Sequence, residues 1–144
     1  MSLHRTAAFC GFCLLISLLA RAQDDKPQLK HVPAPATSAA SGKEMYKSYC
    51  ASCHGVSAKG DGPAAAALKS APRDLTLLTK SNSGKYPAER VMSILRGQAT
   101  VTAHGNRDMP VWGPVFWHIS QGNEAEVQQR IVNLTRYIES MQAK

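Results

Sequence analysis

Cys50-Ala51-Ser52-Cys53-His54 places two thiols three positions apart and an imidazole directly after the second. That spacing is the signature of covalent haem attachment. Each thiol can add across one vinyl group of a porphyrin to form a thioether, and the tether leaves the His54 imidazole under the iron as proximal ligand. The same Cys-x-x-Cys could serve a redox dithiol or a zinc site. The chain offers neither a thioredoxin-like pattern nor a second pair of ligands for those readings.

An electron-transfer haem needs a second axial ligand, because an open iron position invites oxygen or peroxide chemistry. The side chains after the motif that could supply it are Met92, His104, Met109, His118 and Met141. Met92 and Met141 fall on amphipathic helical stretches, where methionine usually fills core. His118 follows Phe116-Trp117 and reads as an ordinary partly buried histidine. Met109 has the best local context, since Pro110, Trp112 and Pro114 stiffen the segment that would hold its sulfur. His104, in a glycine-flanked loop five residues earlier, is its main rival.

Elements that could carry these residues follow from the rest of the chain, whose 144 residues suit one domain. His4 and Arg5 lead into the apolar run Ala7 to Leu19, which ends at the small-residue site Ala20-Arg21-Ala22. This reads as a secretory signal peptide over residues 1–22, with an uncleaved N-terminal anchor as the alternative. Cleavage would remove Cys10 and Cys13, leaving only Cys50 and Cys53, so the exported chain would carry no spare thiol. Of 17 basic residues, losing Arg5 and Arg21 leaves 15 against 10 acidic ones, a net charge of +5. That balance favours acidic partner surfaces, and no basic cluster with interleaved aromatics points to nucleic acid.

Residues 23–40, with Pro27, Pro33 and Pro35 among small and polar neighbours, read as a flexible linker that carries His31. The folded domain is expected over 41–144. Ser41 with Glu44 forms a capping-box pattern for a first helix, Gly42 to about Cys50, which carries Met45, Tyr46 and Tyr49. A Gly- and Pro-rich loop with one helical turn near Ala64–Lys69 follows. Gly60-Asp61-Gly62 within it reads as a turn, since a calcium loop would need more acidic ligands. Asp74 caps a short helix through Thr79, and Pro87 opens another that Gly97 stops. Gln98 to Asp108 lacks any period and reads as a loop that ends at Met109-Pro110-Val111-Trp112-Gly113-Pro114. Asn123 caps the last helix, where Val127, Ile131, Leu134, Ile138 and Met141 form one apolar stripe. The fold class is all-α.

Over Ser41–Lys144 the chain resembles the class I monohaem cytochromes c. Gly42 and Tyr46, eight and four residues before Cys50, resemble that family's first helix, and Leu134 and Tyr137 its last-helix partners. Met109-Pro110 is similar to its distal-ligand segment. The resemblance implies a cytochrome c fold of three to five helices around one haem c, bound through Cys50 and Cys53. It also implies right-angle packing of the first and last helices and iron ligation by His54 and Met109. It further suggests that the Pro72 carbonyl accepts from the other nitrogen of His54, and that Arg73 and Trp112 donate to a haem propionate. The segment through Phe116-Trp117-His118 is longer than in the shortest family members.

The function expected is therefore one-electron transfer without catalysis of bond chemistry. The carrier would be a periplasmic monomer in a respiratory chain, shuttling between a donor complex and a terminal oxidase or reductase. An electron-entry subunit of a larger oxidoreductase, held to the membrane through its N-terminus, is the alternative. A haem sensor or peroxidase ranks last, because no separate acid-base set is visible.

Overall fold

The computed structural model describes residues 33–99 and 109–144. The expected signal peptide, His31 and His104 lie outside the described residues. Among those described, the α-helices are α1 (Gly42–Met45), α2 (Ala51–His54), α3 (Ala88–Arg96), α4 (Trp112–Ile119) and α5 (Glu124–Ser140). The expected all-α class is what the structure has.

The Ser41 hydroxyl accepts from the Glu44 N–H at 3.2 Å and opens α1. The Glu44 carboxylate turns further back than a capping box requires and accepts from the Ser38 N–H at 3.3 Å. A π-helical turn, Tyr46–Cys50, joins α1 to α2, so the helix expected to end near Cys50 runs on through the motif to His54. In an uninterrupted α-helix Tyr46, Cys50 and Cys53 would share one face. The wider turn takes up an extra residue and separates them. Tyr46 packs on Tyr137 of α5 at 5.5 Å between ring centroids, while Cys50, Cys53 and His54 line a cleft. Gly55, at a positive φ of 77° that glycine adopts freely, ends the run.

Between Gly55 and α3 the chain makes three single 3₁₀ turns, Ala65–Ala67, Leu75–Leu77 and Lys80–Asn82. Asp74 caps the second by accepting from the Thr76 N–H at 2.8 Å. Helix α3 buries Val91 and Leu95 and stops at Gly97, as its sequence predicts.

Helix α4 is the element the sequence did not announce. Gly113 and Pro114, from the segment expected to close the loop, occupy the second and third positions of its first turn, where no N–H needs an intrahelical acceptor. Gly113 is there for proximity: a Cβ on it would lie 2.7 Å from the Arg96 carbonyl oxygen. Helix α5 is capped by Asn123, whose Oδ1 accepts from the Glu126 N–H at 3.2 Å, and it buries the predicted stripe Val127, Ile131, Leu134 and Ile138.

The boundary expected at Ser41 moves outward. Arg130 of α5, only 4% exposed, donates to the Thr37 carbonyl at 2.9 Å, to Ser120 Oγ at 3.0 Å and to Glu126 at 2.6 Å. Tyr49 Oη donates to the Pro35 carbonyl at 2.6 Å and pairs with Thr37 Oγ1 at 2.8 Å. Asn133 donates to the Ala39 carbonyl at 2.9 Å. Residues 35–40 thus form a strap across α1 and α5. Low apolar content predicted a free linker, but the strap is held by main-chain carbonyls, which composition does not register. Among the described residues, no helix is long and apolar enough to cross a membrane.

Candidate functional site

Two clefts meet at a common wall. One is lined by Tyr49, Cys53, Leu68, Pro72, Pro110 and Trp112 among others, the second by Leu75, Leu78, Arg90, Val91, Ile94 and Ile138 among others. Cys50, His54 and Met109 line both. The sequence's two thiols, its imidazole and its preferred sulfur ligand therefore converge on one place.

Cys50 is 7% exposed, and burial, reinforced by Cys53, pushes its thiol up to about 12. Both cysteines are free rather than bridged to each other. At neutral pH the Cys50 sulfur is a protonated thiol against an apolar wall, poorly suited to thiolate redox chemistry.

His54 is buried at the end of α2, and its Nδ1 lies 3.0 Å from the Arg73 carbonyl oxygen. A carbonyl only accepts, so Nδ1 carries the proton and the lone pair of the neutral ring is on Nε2. The expectation had given this role to Pro72, one residue earlier. The Pro72 carbonyl instead backs onto Gly60, whose Cα it approaches so closely that no Cβ would fit. The Leu75 N–H donates to the Ala58 carbonyl at 2.7 Å and holds the two strands of this loop together. With Pro72 committed to Gly60, the next carbonyl along is the one that reaches His54.

Pro72 and Trp112 line one cleft and Arg73 lines the other, so the pair expected to serve one propionate is divided. Trp112 is buried, with its ring 5.3 Å from Tyr49 and 5.9 Å from Phe116. Arg90 joins Arg73 in the second cleft, and the sequence reading missed it. Its signal was there: a cation in the first turn of α3 opposes the helix dipole and calls for another reason to be in place. Tyr49, expected only as a residue of the first helix, is buried and also borders the cleft. Met92 and Met141 pack against the hydrophobic core and line neither cleft, and His118 is exposed on α4.

The residues fit a haem by their own chemistry. Two mainly apolar clefts share a wall bearing the Cys50 thiol, an oriented imidazole and a thioether; the second thiol, Cys53, lines the first cleft, and arginines border the second. An all-helical domain with this site defines a c-type cytochrome. The family model described as cytochrome C oxidase, cbb3-type, subunit III, matches residues 37–129, and the chain belongs to that family. No curated protein and no solved structure matches it. Its cofactor is a covalently attached c-type haem and its activity haem-based electron transfer, as expected from the motif.

Proposed function

We propose that the chain is an exported one-electron carrier that delivers electrons to a terminal oxidase. The observation that carries this is the wall common to both clefts, where Cys50, His54 and Met109 converge. Cys50 and Cys53 would hold the haem through thioethers, and His54 and Met109 would be its axial ligands. Arg73 and Arg90 would neutralise propionates from the second cleft, with Trp112 and Pro72 packing along the first. When bound, the haem supplies a one-electron couple at iron, with no bond made or broken.

The protein's residues set the conditions for that couple. The Arg73 carbonyl fixes the His54 tautomer and strengthens Nε2 as a donor. A thioether at Met109 would favour the reduced state. Leu75, Leu78, Val91, Ile94 and Ile138 exclude water from the second cleft and disfavour additional charge there.

Residues 1–22 would serve as the export signal and leave a monomer in the periplasm. The family description favours a second reading, in which the chain is the electron-entry subunit of an oxidase complex. Recovery with the oxidase after detergent extraction would select the subunit, and recovery in the soluble fraction the shuttle. Substituting Met109→Ala tests the site itself. Loss of the methionine-to-iron charge-transfer band in the oxidised protein is expected, and its persistence would reassign the distal ligand, with His104 next in line.

A further inference from the structure

Helix α4 presents two unlike faces. Trp112 and Phe116 point inward, 7% and 0% exposed, while Pro110, Val111, Pro114, Trp117, His118 and Gln121 are all exposed. Their spacing of three to four residues puts them side by side on one flank of the helix and its leading turn. Val111 is 52% and Trp117 50% exposed. Among the described residues nothing accepts the Trp117 indole N–H. Residues 109–123 contain no Lys, Arg, Asp or Glu, in a chain with 17 basic and 10 acidic residues. The flank begins on the cleft itself, because Pro110 lines it beside Met109.

We propose that this flank, centred on Trp117, docks an uncharged apolar patch of the redox partner protein. The proposal rests on the electron-transfer reading above and adds which surface the partner takes. An aromatic anchor in surroundings depleted of charge is the composition of an interface centre. Its lack of charge matches an uncharged partner surface and makes the contact insensitive to salt, although the chain as a whole is basic. A membrane is a poor occupant, because interfacial helices flank their apolar side with Lys and Arg, and α4 has none. A second copy is also a poor fit. Eight residues of helix span about 12 Å, too little for the roughly 1,200 Å² that a stable dimer buries. A small patch gives the short-lived contact that turnover of an electron carrier requires.

The test is oxidation of the ferrous holoprotein by purified cbb3-type oxidase in stopped flow, at low and high salt. Ferricyanide serves as a small oxidant that needs no docking face. Trp117→Lys should slow the oxidase reaction about tenfold or more, leave the ferricyanide reaction near wild type, and preserve haem content and melting temperature. If that variant fails to fold, Val111→Lys reads the same surface. Because each variant adds positive charge, a dock driven by basic residues would be accelerated instead. An unchanged or faster oxidase reaction overturns the proposal, as does a wild-type rate that falls steeply with salt. A wild-type dimer in light scattering, or flotation with neutral or anionic vesicles, that Trp117→Lys abolishes would likewise overturn it. A chain with no attached haem, or none that ferricyanide oxidises, defeats the electron-transfer reading itself, which is a separate result from a loss confined to the oxidase.

Discussion

Where α1 crosses α5, Gly42 lets the backbone settle on the Asn133 carbonyl, with the Tyr137 Cβ 2.8 Å from where a side chain would begin. Eight residues on in the same helical run, Cys50 borders a cleft whose other walls come from single turns, loops and helix edges. The crossing is closed by backbone proximity, ring contacts and the buried hydrogen bonds of Arg130. The cleft is held open by glycines and a few main-chain hydrogen bonds. The difference teaches a division of labour. The crossing supplies stability, and the cleft wall supplies geometry for a group that will itself complete the core.

Substitutions at the crossing should therefore cost stability first, and those in the wall should alter the haem environment first. Gly42→Leu has the largest expected effect, about 3 kcal/mol or more of unfolding free energy, because backbone rather than a flexible side chain must yield. Chemical denaturation reads it. Arg130→Met should cost about 2 kcal/mol by leaving Thr37, Ser120 and Glu126 without their donor. It should also free the strap, seen as faster proteolysis before residue 41.

Gly60→Ala probes the wall. A positive φ of 84° and the adjacent Pro72 carbonyl should make it cost about 2 kcal/mol. More tellingly, it should displace the Arg73 carbonyl from His54 and shift the reduction potential. Arg73→Gln keeps that carbonyl, so the His54 ring resonances of the reduced protein should stay near their wild-type positions. If the two variants behave alike, the link from Gly60 through Pro72 to His54 is wrong.

Tyr86 gives the smallest and most local effect. Its hydroxyl donates to the Thr135 carbonyl at 3.0 Å, and burial, then the charge of Glu139, raises its pKa well above the ordinary tyrosine value. A raised folded-state pKa means the contribution is fully present below about pH 10 and is lost as pH climbs through the folded value. Tyr86→Phe should cost about 1 kcal/mol at neutral pH, and the gap to wild type should narrow only in alkaline solution.

The parts of the molecule that were legible in its sequence are those where one residue type answers one physical need. The Asn123 cap and the stripe from Val127 to Ile138 are local patterns that appear in the fold as read, and the side chains of Cys50, Cys53 and His54 line one cleft. Helix α4 was hidden because Pro110, Gly113 and Pro114 give its start the composition of a stiff loop, although the first turn of a helix tolerates both Gly113 and Pro114. The strap was hidden because its anchors on Arg130, Asn133 and Tyr49 lie far away in the chain. The Arg73 carbonyl was missed by one residue, a distinction that depends on which carbonyl Gly60 occupies and not on side-chain identity.

The central claim is that Cys50 and Cys53 hold a haem whose iron His54 ligates. The most direct measurement is the mass and visible spectrum of the exported protein after acid-acetone extraction. One haem should remain with the polypeptide, and the doubly substituted Cys50→Ser, Cys53→Ser chain should lose it. Colour that extracts from the wild-type protein, or persists in the double variant, would contradict the account.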